Sequence, residues 1–217
     1  GVIQLLISTG IINPFIMDTL TTICINIILA VSLNLITGFT GQFSLGHAGF
    51  MSIGAYTCTI ITLRMPTTLG FIIGLVAGAI LAALVGILVG LPTLRLRGDY
   101  LAIATLGMAE IIRIVFLNLE ITNGAAGLFS ANQYVNWFWL FLFTAGTVIL
   151  ITNFIHSSHG RACISVREDE IAAEAMGINA TKYKVTAFVM GAFFAGIAGS
   201  IHSSYFYFIK PDLFGFL

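Results

Sequence analysis

Two opposite charges lie inside an otherwise apolar stretch, and they are the first residues that could do chemistry. Glu110 and Arg113 are three positions apart, so they share one face of a helix that we predict over 99–118. Charges at membrane depth are costly, which predicts that the two side chains face the protein interior and pair with each other. Three interpretations of the pair are open: a structural ion pair, part of the polar lining of a substrate path or gate, or a proton relay.

A second cluster combines glycines with small polar side chains. Residues 38–49 read GFTGQFSLGHAG. Non-helical backbone at membrane depth is tolerated only where it is buried in protein or lines a cavity, and broken helices of this kind bind solutes in transporters. We therefore predict a broken or re-entrant element whose candidate translocation-path residues are Gly41, Gln42, Ser44, Gly46 and His47. The alternative for His47 is a buried, hydrogen-bonded histidine.

The one long polar stretch of the chain is 156–184. Ser165 and Glu168 have the spacing of a capping box, which predicts a short helix over 168–176. Gly177 stands where a left-handed cap would end that helix. The helix would carry a small apolar face made of Ile171, Ala172, Ala175 and Met176. Such a face predicts either the docking of another protein or a helix that lies on the bilayer or against the bundle.

Motifs for several kinds of catalysis are absent from the sequence. It contains no GxxxxGK[ST] phosphate loop, no HExxH and no serine elbow. Cys24, Cys58 and Cys163 are far apart and interpreted as small hydrophobic residues, so we expect no metal site and no disulfide. The formal net charge is zero, which suggests no nucleic-acid partner. We expect no enzyme activity and no cofactor on this chain; any ATP would be bound and hydrolysed by another polypeptide.

The composition places these residues in a membrane protein. Only 8% of the residues are charged and 58% are hydrophobic, whereas a soluble domain carries about 25% charged residues. A membrane-crossing helix needs about 20 apolar residues. The predicted fold class is all-α, a polytopic transmembrane bundle of about six spans at 20–38, 43–63, 69–92, 99–118, 134–155 and 185–208.

We treat 1–217 as one transmembrane domain that contains the loop 156–184. Residues 2–17 are predicted to be part of an earlier helix with Pro14 near its end. Because the chain opens on Gly1 and stops at Leu217 without a polar tail, we expect it to be incomplete at both ends.

Basic residues indicate how the spans are oriented. Lys and Arg are enriched in cytoplasmic loops, so 156–184 is predicted to be cytoplasmic. Counting spans backward places Arg95 and Arg97 on the same side and Arg64, Glu120 and Lys210 outside. This count depends on 20–63 being two full crossings.

Small residues recur every fourth position in two of the predicted spans. This spacing forms a face on which another helix backbone can approach closely. It predicts either tight packing within one bundle or dimerisation, through Gly70, Gly74 and Gly78, Gly86 and Gly90, and the pairs Ala192/Gly196 and Ala195/Gly199.

Four stretches, in order, resemble one family. They are SLNLITGFTGQFSLGHAGF at 32–50 followed by IGAY at 53–56, LRLRGDYLAI at 94–103, the loop 160–177, and PDLF at 211–214. Together they resemble the permeases of branched-chain amino-acid ABC importers, specifically the M-type (LivM) subunit. The likeness covers nearly the whole chain.

The resemblance implies an importer of leucine, isoleucine and valine in the cytoplasmic (inner) membrane of a bacterium or archaeon. The implied partners are membrane lipid, a second, LivH-like permease subunit, two cytoplasmic ATPase subunits, and a periplasmic or lipid-anchored amino-acid-binding protein. It also implies that 161–178 is the loop seated in the ATPase, with Arg161, Arg167, Glu168, Glu170, Ala173, Glu174, Ala175 and Gly177 as its candidate coupling residues.

Other functions remain open from the sequence. The same kind of importer could carry urea, short amides or other amino acids. A secondary carrier or channel would need intramembrane carboxylates, and Glu110 is the one deep candidate, already matched by Arg113. A membrane-embedded enzyme lacks a catalytic constellation.

Overall fold

The computed structural model describes residues 14–94, 96, 98–130 and 133–215, and these form a helical bundle. Its α-helices are α1 Pro14–Asn34, α2 His47–Arg64, α3 Thr68–Thr93, α4 Asp99–Asn118, α5 Trp137–His156, α6 Ser158–Glu168, α7 Glu170–Ala175 and α8 Ala180–Phe206. A π-helical turn, Leu35–Phe39, extends α1. Short 3-10 turns are Glu120–Thr122, Gly124–Ala126 and Pro211–Phe214, and two-residue strands β1 Leu128–Phe129 and β2 Phe208–Ile209 pair antiparallel.

Five of these helices are long and apolar enough to cross a membrane, namely α1 with its π-turn, α3, α4, α5 and α8. Helix α2 is different, because its 18 residues include serine, threonine, tyrosine and glycine as well as aliphatic side chains. It packs between α3 and α8, where protein replaces lipid as its surroundings. A helix enclosed in this way does not need an apolar outer surface.

The block of α2, α3 and α8 forms through close backbone contacts at glycines. A Cβ on Gly54 would lie 2.0 Å from the Gly196 carbonyl oxygen, and a Cβ on Gly199 would lie 1.9 Å from that of Met51. Gly78 faces Gly54 and Ser200, whose hydroxyl donates to the Gly54 carbonyl at 3.1 Å. The small-residue spacing therefore serves packing within this bundle, as one of the two sequence interpretations predicted.

The connections fall at two ends of the bundle. At one end Arg167, from the loop between α5 and α8, contacts Gly38 at the end of α1. At the other end β1 pairs with β2, and the Tyr205 hydroxyl donates to Asp18 at 2.6 Å. The break between α1 and α2 thus shares an end with the loop 156–184, as two full crossings in 20–63 require. Arg95 and Arg97, which were predicted to lie on the same side, are outside the described residues.

Several predicted boundaries are wrong. Residues 14–17 belong to α1, which continues to Asn34, instead of ending an earlier helix, and the rest of the predicted 2–17 segment lies outside the described residues. The second span begins at His47, not at residue 43, because 41–46 is non-helical. Helix α8 begins at Ala180, five residues before its predicted start, because the Asn179 side chain accepts from the Lys182 amide and caps it there.

A glycine substitution tests the packing of α2 on α8. Gly54→Ala is expected to lower the free energy of unfolding by about 1–3 kcal/mol, because its methyl group would overlap the Gly196 backbone. Gly146→Ala in α5 is the matched control, because a Cβ there meets no atom within 4 Å. Thermal unfolding of both variants in detergent measures the difference, and equal midpoints would contradict this packing.

Candidate functional site

The break between α1 and α2 is built so that the last carbonyls of α1 have donors. The Thr40 hydroxyl lies 3.0 Å from the Leu35 oxygen and 2.7 Å from the Ile36 oxygen, and the Gln42 amide donates to the Ile36 oxygen at 3.1 Å. Helix ends leave carbonyls without intrahelical partners, and buried ones are costly. The threonine and the returning backbone allow the helix to end inside the protein.

Gly41 turns the chain at this point. Its φ of +68° is in the left-handed region, and a Cβ there would lie 2.8 Å from Arg167 Cγ. Arg167 Nη1 donates to the Gly38 carbonyl at 2.8 Å, while the same guanidinium pairs with Glu168. The sequence-predicted loop and the predicted broken helix are therefore in direct contact.

Beyond Gly41 the non-helical backbone contacts α4. The Leu45 amide donates to Thr105 Oγ1 at 3.1 Å, and a Cβ on Gly46 would lie 2.6 Å from the Thr105 carbonyl oxygen. Thr105 lies about 9 Å along α4 from Asp99 at 1.5 Å per residue. Non-helical backbone thus reaches into the bundle, against α4.

Polar side chains of the break are buried with unused hydrogen-bonding capacity. Both polar atoms of the Gln42 side chain, which is 2% exposed, and the Ser44 hydroxyl have no hydrogen-bond partner among the described residues. His47 is the buried, hydrogen-bonded histidine of the alternative interpretation, because its Nε2 lies 2.8 Å from Ser32 Oγ; its Nδ1 has no described partner. Buried polar atoms of this kind call for a water or a solute.

A cavity lies near each end of this segment. One of about 230 Å³ opens near the α5–α8 loop and is lined by residues that include Thr40, Gly41, Gln42, Arg167, Glu170 and Lys184. A smaller one of about 40 Å³ is lined by Leu45, Ala48, Glu110 and Phe214, with Leu106 and Ala109. The larger cavity contacts the start of the break and the smaller one contacts its end.

Glu110 and Arg113 pair as the sequence predicted. Arg113 Nε lies 3.0 Å from each Glu110 carboxylate oxygen, and Nη1 makes a further ion pair with Asp212 at 3.1 Å. The prediction that they face the interior is corrected, because their side chains are 27% and 45% exposed in this chain, for Arg113 and Glu110 respectively. Asp212 was missed as a third member, although it belongs to the 211–214 stretch that carried the resemblance.

The short helix of the polar loop forms, but its predicted start is wrong. Ser165 lies inside α6, where its hydroxyl donates to the Ala162 carbonyl at 2.9 Å, and Glu168 ends that helix. The cap of α7 is Asp169, whose Oδ1 accepts from the Ile171 and Ala172 amides at 2.9 and 3.0 Å. Asp169 has extended backbone, which a cap residue needs and which interrupts the helix between α6 and α7.

The other end of α7 is closed by Gly177 with φ +84°, as predicted. Its amide donates to the Glu174 carbonyl at 2.9 Å, and the Ile178 amide donates to the Ala173 carbonyl at 3.0 Å. This pair of bonds is a Schellman motif, and Ile178 completes it by packing against the cluster of Val166, Ala173 and Ala180. Helix α7 is thus fixed at both ends.

Helix α7 turns little of its apolar surface toward the bundle. Ala173 is buried, whereas Ile171 and Met176 are 73% and 83% exposed, and Glu174 and Ala175 are exposed beside them. Lys184 Nζ lies 2.8 Å from Glu170 Oε1 and ties α7 to α8. Arg161 is exposed on α6. The predicted apolar face therefore points away from the protein.

A family model described as "Branched-chain amino acid transport system / permease component" matches residues 15–217. The chain belongs to this family. It is 36% identical, over 92% of its length, to the high-affinity branched-chain amino acid transport system permease protein LivM of Salmonella typhimurium, and 37% identical to that of Escherichia coli. A probable LivM of Methanocaldococcus jannaschii is 27% identical over 67% of the chain.

As a member of this permease family with several membrane-spanning helices, the chain is a multi-pass protein of the inner membrane. It spans 55% of the length of the two bacterial LivM proteins and 42% of the archaeal one. No solved structure matches it.

The cap of α7 can be tested by one substitution. Asp169→Ala is expected to destabilise α7 by about 1 kcal/mol, because the Ile171 and Ala172 amides lose their acceptor. Asp169→Asn keeps an acceptor and serves as the control. Hydrogen exchange of these two amides should accelerate in the alanine variant alone; unchanged exchange would contradict the assigned cap.

Cys163 provides a pH test of the loop. Burial disfavours the charged thiolate and raises the pKa of Cys163 from 9.0 to about 11. At pH 8 the thiolate, which is the reactive form, is about a hundredfold scarcer than at an unperturbed cysteine. Alkylation of Cys163 should be correspondingly slower than alkylation of an exposed cysteine introduced by Met176→Cys, and should accelerate as the pH rises toward 11. Equal rates at pH 8 would show that Cys163 is not buried.

Proposed function

We propose that the chain is the membrane-spanning subunit of an ATP-driven importer for branched-chain amino acids, with ATP hydrolysis left to separate subunits. The observation that carries the proposal is the position of α7, a rigid exposed helix at the end of the bundle where the polar break opens. Family membership and the names of the LivM relatives support the choice of leucine, isoleucine and valine as cargo.

The break between α1 and α2 is the proposed translocation path. Gln42, Ser44 and His47 bring buried polar atoms without described partners to a stretch with a cavity near each end. A zwitterionic amino acid carries hydrogen-bond donors and acceptors at one end, which match such groups. The proposed roles of Gly41 and Gly46 are to let this backbone turn and pass close to its neighbours.

A second permease subunit is the proposed neighbour of α4. The ion pair Glu110–Arg113 lies within this apolar helix and is partly exposed in the chain alone. Lipid would make these charges costly, so a protein partner or an aqueous path between two subunits should cover them. A Cβ on Gly107 of the same helix would meet no atom within 4 Å, which leaves space for a close helix contact.

The proposed seat of the ATPase is α7 and the residues around it. Ile171 and Met176 present apolar surface at the predicted cytoplasmic side, with Glu174 beside them. The Asp169 cap and the Gly177 motif stabilise both ends of the helix. A displacement by the ATPase would therefore move the helix as a unit instead of unfolding it. Nucleotide-dependent seating would supply the difference in contact energy between two states that alternating access requires. A binding protein outside would deliver the amino acid.

The cargo can be tested with the full-length protein and its partners in vesicles. ATP-dependent uptake of labelled leucine, isoleucine and valine is expected, with labelled urea excluded. ATP-dependent uptake of urea without leucine uptake would contradict the proposed cargo but not the proposal of an ATP-driven importer. Leucine uptake that does not need ATP would contradict the ATP-driven importer and favour a secondary carrier.

Charge changes on α7 test the ATPase seat. Glu174→Lys or Gly177→Arg is expected to lower both uptake and co-purification of the ATPase roughly tenfold or more, because an unmatched charge at an interface costs several kcal/mol. Membrane insertion should be unaffected. Glu120→Lys makes the same charge change at the opposite end of the bundle and should leave co-purification unchanged. Normal uptake by both α7 variants would contradict the docking of an ATPase on α7.

A further inference from the structure

Arg167 joins two parts of the protein that are far apart in the sequence. It lies in the last turn of α6, next to the Asp169 cap, and its Nη1 donates to the Gly38 carbonyl at 2.8 Å. Its Cγ occupies the place that a Cβ of Gly41 would need. The residue therefore contacts both sides of the turn that ends α1, by a hydrogen bond and by packing.

The chemistry of this contact favours arginine. The last carbonyls of a helix carry partial negative charge, so a cation placed there is attracted to them. A guanidinium has several donors in a fixed plane, so Arg167 can bond Gly38 and Glu168 at the same time. A lysine has a single ammonium group in place of this planar fork.

The two partners of the contact differ in rigidity. On one side α6 and α7 are held together through Val166 and Ala173, and Lys184 fixes Glu170. On the other side 41–46 has no helical hydrogen bonds, and the cavity of about 230 Å³ lies beside Thr40, Gly41 and Gln42. A displacement of the rigid part can therefore move the turn into free space.

We propose that Arg167 is a positioning residue that transmits movement of α6 and α7 directly to the polar break at 38–42. This inference rests on the proposed function. The flanking spans α5 and α8 are then a second route for the movement. Gln42, whose buried side chain has no described partner, follows Gly41 in the chain and would move with it. Arg167 acts through the backbone of the break and need not touch the solute.

The experiment uses the full-length transporter with its partners in vesicles, and it measures leucine uptake and ATP hydrolysis in the same preparation. Arg167→Gln should lower the amount of leucine imported per ATP hydrolysed roughly tenfold or more, the scale of one lost hydrogen bond to a charged group. Co-purification of the ATPase should be unchanged. Arg167→Lys should restore part of the ratio, because the charge near the Gly38 carbonyl remains.

Lys182→Gln is the matched control, because it removes one exposed positive charge at the start of α8, on the same side. Gly41→Ala should reproduce the Arg167→Gln result from the other side of the contact, because its methyl group displaces the Arg167 side chain. Agreement between these two variants, with the control unchanged, supports the inference.

Two results would overturn it. The first is an unchanged ratio of leucine to ATP in Arg167→Gln. The second is a parallel fall of ATPase co-purification, hydrolysis and uptake, which is what a purely structural role predicts. Failure of the proposed function is distinguishable, because the unmodified transporter would then show no ATP-dependent leucine uptake at all.

Discussion

Inside a bilayer, every backbone N–H and C=O group must find its partner within the protein, and this constraint determines the rest of the structure. It explains why the described chain is mostly helix. It also explains how the break between α1 and α2 is held. Thr40, Thr105 and Arg167 each make a side-chain hydrogen bond to the backbone in or beside that break. The break is therefore held by its own threonine and by side chains of two other helices, α4 and α6.

The rigid frame around the break comes from close contacts between helix backbones. Gly54, Gly78, Gly196 and Gly199 bring α2, α3 and α8 into one block with no room for a Cβ at the contacts. Without a hydrophobic force between helices in lipid, such packing is the main source of association. The break lies beside this block and against α4. Helices α4 and α5 are the least buried of the five apolar spans within the described chain. We propose that this block is the fixed frame against which the break moves during alternating access.

The sequence alone predicted the membrane helices, the ion pair of Glu110 with Arg113, and the glycine that ends α7, because each depends on local spacing. It placed the cap of this short helix at Ser165, because a capping box is a local pattern, whereas Asp169, four residues later, caps the helix in the structure. Contacts between distant parts of the chain were not predictable from spacing. The bonds of Arg167 to Gly38 and of Arg113 to Asp212 depend on how the helices pack, and a single sequence does not show that.

The central claim is that the polar break forms part of the translocation path and that movement of α7 changes its conformation. The most direct measurement replaces Gln42 by cysteine in a full-length transporter without its other cysteines and follows labelling by a water-soluble thiol reagent. Trapping the ATP-bound and nucleotide-free states should give clearly different labelling rates, because Gln42 is buried in the structure described above and lies beside the cavity that Arg167 lines. Equal rates in both states would contradict the account.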